Sequence, residues 1–213
     1  MKTLVLFSFL FFLGQARSAP IVYTFSGTGT GSFGATPFAN SHFLITATAD
    51  TRDVSAVDSY VSQILVQSAT VQVDGFNTGQ FQIGLRLFQG PYYSIPPGSA
   101  GDATVGLSLA TGPDLLDLFH PAFVGYALIH NLGPVFVPVP DYQSRLSFNN
   151  IPTTTGPMTL GSSLNVTFTA TLVPEPSGVA VFSAGVFLLI LVAQNRKSNQ
   201  TLKNKITWGR AVL

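Results

Sequence analysis

An antiparallel, all-β sandwich of jelly-roll-like type, followed by a single C-terminal transmembrane helix, is the fold class this sequence predicts. Three observations carry it. Apolar and polar residues alternate with period two in about eight short runs through the middle of the chain. Gly, Pro and Asp punctuate those runs at the spacing of an antiparallel sandwich. A last apolar run, 178–193, is followed by Arg196, Lys197, Lys203, Lys205 and Arg210 with no acid among them, the charge order of a membrane span with a basic cytoplasmic end.

Taken in order, the chain opens with Lys2, an apolar stretch over 4–13 and small residues after Gly14. That is the layout of a secretory signal, cut after Ser18 with Ala16 and Ser18 in the small-residue positions. Residues 1–18 are therefore set aside as a signal peptide, and 19–173 is the exported β-sandwich domain. Its predicted strands are 21–25, 42–49, 63–73, 80–88, 104–110, 124–129, 144–148 and 164–172. In the last of these Leu164, Val166, Phe168, Ala170 and Leu172 fall on one face, and Asn165, Thr167, Thr169 and Thr171 on the other, the pattern of a half-buried strand. The glycine-rich 27–32 reads as a flexible or edge segment. Asp74-Gly75 reads as a turn, and Pro91, Pro96, Pro97, Gly98 and Gly101 mark a long connection. The one helical turn is predicted over 115–119, after Pro113-Asp114 and before Pro121. The apolar run 178–193 would rise about 24 Å as a helix, short against a hydrocarbon core of about 30 Å, so its flanks must snorkel or the bilayer thin.

Composition narrows the function classes. Over 19–173 the charges are Arg52, Arg86 and Arg145 against Asp50, Asp53, Asp58, Asp74, Asp102, Asp114, Asp117 and Asp141, three against eight, or −5. An acidic domain argues against nucleic acid as a partner. There is no cysteine, no lysine between Lys2 and Lys197, and no glutamate other than Glu175. Disulfides, thiolate metal sites and a cysteine nucleophile are excluded.

Chemistry-bearing patterns are few. His42, His120 and His130 lack the spacing that puts two imidazoles on one metal. No Gly-x-Ser-x-Gly elbow occurs, and no serine reads as having a positioned base. Asp50, Asp53 and Asp58 are close enough in sequence to share a loop and are the candidate Ca²⁺ ligands, although the alternation and glycine of an EF-hand loop are missing and Arg52 lies among them. No other cofactor is expected. Tyr92 and Tyr93, on a proline-flanked loop, are the candidate glycan-stacking residues.

Pro174-Glu175-Pro176, the span 178–193 and Arg196-Lys197 together resemble the PEP-CTERM sorting signal of Gram-negative bacteria, in which Pro-Glu-Pro precedes one span and an Arg-rich end. The resemblance implies handling by exosortase, an integral-membrane cysteine protease, and association with exopolysaccharide. The tail here departs from the family in running on through Trp208 to Leu213 with diluted charge. Residues 174–213 are accordingly expected to be a PEP-CTERM-like signal with a basic cytoplasmic tail. The exported domain resembles, more loosely, domains that precede this signal and carry no assigned activity. The expectation is an exported, single-pass, membrane-tethered protein of the cell surface or matrix, structural or adhesive and not an enzyme, its N-terminal domain outside the cytoplasmic membrane. A carbohydrate-binding module is the alternative and an exported hydrolase the third.

Overall fold

A computed structural model describes residues 19–91, 103–138 and 145–174. The predicted signal peptide, Tyr92 and Tyr93, Glu175, Pro176, Arg196, Lys197 and the predicted span all lie outside the described residues. Among the described residues no helix is long and apolar enough to cross a membrane. The chain divides into two units at Val173 and Pro174, and the description below concerns the first.

That unit is a sandwich of two antiparallel sheets. The first holds β1 (Pro20–Phe33), β2 (Thr36–Asp50), β5 (Ser68–Val73), β6 (Gly79–Gln80), β10 (Leu132–Val137), β12 (Phe148–Ile151) and β13 (Met158–Leu172). Their order is β10-β13-β1-β2-β5-β6, with β12 also on β13. The second holds β3 (Val54–Ala56), β4 (Ser62–Leu65), β7 (Leu85–Pro91), β8 (Ala103–Leu109), β9 (Asp114–His120) and β11 (Arg145–Leu146), in the order β11-β9-β8-β7-β4-β3. The chain passes between the sheets from β2 to β3, β4 to β5 and β6 to β7, and again from β9 to β10, β10 to β11 and β11 to β12. By contrast β1 and β2 form a hairpin, and β7 to β9 a meander, within one sheet.

Alternation explains the core. Ile21, Tyr23 and Phe25 on β1, Phe43, Ile45 and Ala47 on β2, and Val166 and Phe168 on β13 are all fully buried, facing Ile64, Leu87, Leu107, Leu116 and Leu118 of the second sheet in one apolar cluster. Phe168 is its aromatic hub. The rings of Phe25, Phe123, Tyr126 and Tyr23 lie with centroids 5.2, 5.6, 6.1 and 6.2 Å from it, within the range of favourable aromatic pairs. Tyr23 Oη donates to the Leu128 carbonyl, satisfying a buried hydroxyl. Burial pushes both the Tyr23 and Tyr126 phenols well above their ordinary range, and the nearby Tyr126 adds to the effect at Tyr23.

Several expectations are corrected. The segment 27–32 is interior to β1, paired on one side with β13 and on the other with β2. Glycine is required there by close approach: a Cβ on Gly31 would stand 2.0 Å from the Thr159 carbonyl oxygen, and one on Gly27 3.0 Å from that of Asn165. Residues 115–119 are strand, not helix, because Leu116 and Leu118 point into the core while pairing with Leu107 and Val105. The turn comes just after, as a 3-10 turn at Pro121–Phe123. Residues 124–129 form no strand, Gly125 and Leu128 having positive φ of 73° and 61°. The strand is instead β10, an edge on which Pro134 falls within a register shift and costs no ladder bond. The predicted 63–73, 80–88 and 144–148 each divide between the two sheets.

Candidate functional site

The outer face of the second sheet brings together polar and aromatic groups that the strand pattern alone leaves scattered. Inward positions of β8 carry Val105 and Leu107, so its outward positions are Thr104, Gly106 and Ser108. These small residues make a low floor between larger outward residues of β7, Arg86 and Phe88, and of β9, Asp117 and Phe119. The Phe88 ring leans across the floor: a Cβ on Gly106 would come within 2.2 Å of Phe88 Cζ.

Arg86 is the charged centre of this strip. It is part-buried, donating from Nε to Ser108 Oγ at 2.8 Å and from Nη1 to Gln63 Oε1 at 3.2 Å. Neither ion pair of the described residues, Arg52 with Asp50 or His42 with Asp74, includes it. A guanidinium carries five N–H donors, and these two bonds use two of them. Asp117, buried, pairs in register with Gly106 on one side and Arg145 on the other. A fixed guanidinium, an amide and a half-buried ring are the combination that binds a polyhydroxylated ligand, with the charge and amide bonding hydroxyls or carboxylates and the ring covering an apolar sugar face.

No protein-family model, curated protein or solved structure matches this chain. The site therefore rests on its own geometry.

The three acids proposed for calcium do not share a loop. Asp50 ends β2, Asp53 lies in a 3-10 turn (Thr51–Asp53), and Asp58 sits in the turn between β3 and β4. The Asp50 carboxylate caps that turn, accepting from the Arg52 backbone N–H at 2.9 Å, and also from Arg52 Nη2 at 2.9 Å and Nε at 3.2 Å. Asp58 Oδ1 accepts from the backbone N–H groups of Tyr60 and Val61 at 2.7 and 2.8 Å. Each acid has local work, and among the described residues no three acidic or histidine side chains are grouped as metal ligands.

One pairing at the first sheet departs from the reading of the serines as plain sheet surface: Ser26 Oγ lies 2.9 Å from His42 Nε2. Sequence reasoning missed both this pair and the Arg86 strip because each depends on register between strands. The available signal was Arg86 and Phe88 at alternate positions of an otherwise apolar run.

Proposed function

We propose that this chain is an exported, membrane-tethered protein of the cell surface or matrix, adhesive in role, whose adhesion is the binding of exopolysaccharide on the outer face of the second sheet. The observation that carries it is Arg86, held by Ser108 and Gln63 yet without a carboxylate partner among the described residues, beside the Phe88 ring. A guanidinium held in place by neutral groups keeps its charge for the hydroxyls or carboxylates of a ligand. The adhesive and carbohydrate-binding readings of the sequence meet in that feature. Turnover is not part of the proposal: the strip of Gln63, Arg86, Phe88, Asp117 and Phe119 holds a single carboxylate, whereas glycoside hydrolysis ordinarily takes a pair.

Tethering and processing rest on Pro174-Glu175-Pro176, the span 178–193 and Arg196-Lys197, and we assign their handling to an exosortase-type protease. The interleaved crossings between sheets favour placing the domain among jelly-roll-like sandwiches, with the β7 to β9 meander as a local departure.

Affinity electrophoresis through gels containing neutral or uronate-bearing exopolysaccharide tests the binding. Arg86→Ala should weaken retention about 10-fold or more, the scale of losing charge-assisted hydrogen bonds, and replacing Tyr92 and Tyr93 with alanine should weaken it further. Full retention in an Arg86→Ala variant that melts like the parent would move adhesion off this face.

A further inference from the structure

On the opposite side of the sandwich, the outer face of the first sheet carries three side chains in an order that none of the foregoing uses. Ser26 of β1 and His42 of β2 are diagonal neighbours, Ser26 standing opposite Leu44 and His42 opposite Thr28. Their Oγ and Nε2 atoms are 2.9 Å apart. The other ring nitrogen, His42 Nδ1, faces Asp74 Oδ1 at 3.9 Å. Asp74 follows β5 and is pinned there by its own N–H, which donates to the His42 carbonyl at 3.0 Å. The imidazole thus has a hydroxyl on one nitrogen and a carboxylate near the other, both open to solvent, with His42 about half exposed and Asp74 more so.

We propose that Ser26 is an acyl-accepting nucleophile, with His42 as its base and Asp74 as the positioning residue, and that the donor is an activated ester such as an aryl ester or thioester. In the step, Ser26 Oγ bonds to the ester carbonyl carbon while its proton passes to His42 Nε2. Collapse of the tetrahedral adduct breaks the bond to the leaving oxygen or sulfur, which takes the proton from Nε2, and Ser26 is left O-acylated. Neutral His42, with a proton on the nitrogen facing Asp74, is the form that can accept at Nε2, and the carboxylate favours that tautomer. The 3.9 Å separation makes Asp74 a positioning charge rather than a bonded partner.

Two features of the chain bear on selectivity. The register of β1 against β13 shifts between Ser26 and Thr28, where Asn165 adopts a positive φ of 55°, and such bulges re-aim neighbouring side chains. Lysine, the usual competitor for acyl groups, is absent between Lys2 and Lys197. The step as proposed uses a base and a positioning charge and invokes no oxyanion hole, the larger contribution in acyl-transfer enzymes. The product is therefore a lasting acyl-serine, a modification rather than rapid turnover, and it is independent of whether the opposite face binds polysaccharide.

The test uses the full-length protein with p-nitrophenyl acetate, following p-nitrophenolate release and locating acetyl groups by fragment-ion mass spectrometry. Acetyl should accumulate on Ser26 in preference to Thr24, Ser41 and Thr46, which share its tryptic peptide. His42→Gln should lower the rate roughly 100-fold, the lower end for a positioned base. Asp74→Asn should lower it several-fold with an unchanged melting temperature, and Asp74→Glu should restore it. Acetyl spread evenly over the hydroxyls would overturn the proposal. So would hydrolysis that survives Ser26→Ala and is lost in His42→Gln, since that is an exposed imidazole acting alone.

Discussion

Replacing Gly31 with alanine tests whether the glycine-rich half of β1 is a true interior strand. The new methyl would stand 2.0 Å from the Thr159 carbonyl oxygen, 2.9 Å from its carbon and 3.1 Å from Leu160 Cα. All three are backbone atoms of β13, so no rotamer change relieves the contact, and the strand must retreat by about 1.4 Å to take the 2.0 Å approach to ordinary van der Waals distance. Overpacking of this kind costs roughly 1–3 kcal/mol, with backbone displacement toward the upper end. Stiffening of the unfolded chain by alanine returns about 0.4–1 kcal/mol only where the native backbone accepts the residue. A net loss of about 2–3 kcal/mol follows, and at roughly 2–4 °C per kcal/mol for a domain of this size the melting temperature should fall by about 4–12 °C. Gly161→Ala is the matched control, because its Cβ would meet nothing within 4 Å, and its melting temperature should hold or rise by about 1–4 °C. A thermal melt followed by circular dichroism reads both. If Gly31→Ala melts with the control, β1 is not clamped between β2 and β13 at that point, and the reading of 27–32 as a loose segment was right.

Other outcomes follow from the same structure. Tyr23→Phe leaves the buried Leu128 carbonyl without its donor and should cost about 1–3 kcal/mol by denaturant titration; no loss would mean that the carbonyl is otherwise satisfied. Because burial raises the Tyr23 and Tyr126 phenols in the folded protein, their contribution is intact below the ordinary phenol value and drains away as pH rises above about 10. Melting temperature should therefore drop through that alkaline range, less steeply in Tyr23→Phe. A chelator should leave the melting temperature unchanged, since a calcium ion at a hundred times its dissociation constant would add about 2.7 kcal/mol; Asp50→Ala should lower stability by about 1 kcal/mol through loss of its cap. Finally, Arg145 is the last basic residue before Arg196, so exosortase-type processing should remove the tryptic peptide 206–210 from mature protein, and its recovery from the bulk of surface material would end that assignment.

What the sequence made legible was governed by period two. The predicted strand 164–172, the C-terminal part of β13, could be read by its faces, since Val166, Phe168 and Ala170 are inward and Thr167, Thr169 and Thr171 outward. The same rule concealed the corners. Alternation persists through Val66 and Gln67, yet the Val66 N–H bonds Leu85 in the second sheet and the Gln67 N–H bonds Thr48 in the first. A strand that changes sheets keeps its apolar residues between them, so the pattern records no break. Local propensity misled at 115–119, where leucines suited to a helix are held as strand by β8. The sites were least legible, because Ser26, His42 and Asp74, like Gln63, Arg86 and Ser108, meet only through cross-strand register.

The pairing of β1 with β13 has a mechanical consequence. The two strands run antiparallel from Ile21 opposite Leu172 to Phe33 opposite Met158, and the Val173 N–H closes the ladder on the Pro20 carbonyl. Tension applied at residue 173 acts along the axis of β13, which is gripped by β1 on one side and by β10 and β12 on the other. Ladder bonds lie across that axis, so the load falls on many of them at once in shear rather than peeling them one by one. Were the domain tethered through residue 173, drag would therefore load the strand that bears Phe168, the centre of the aromatic core, in its most resistant direction.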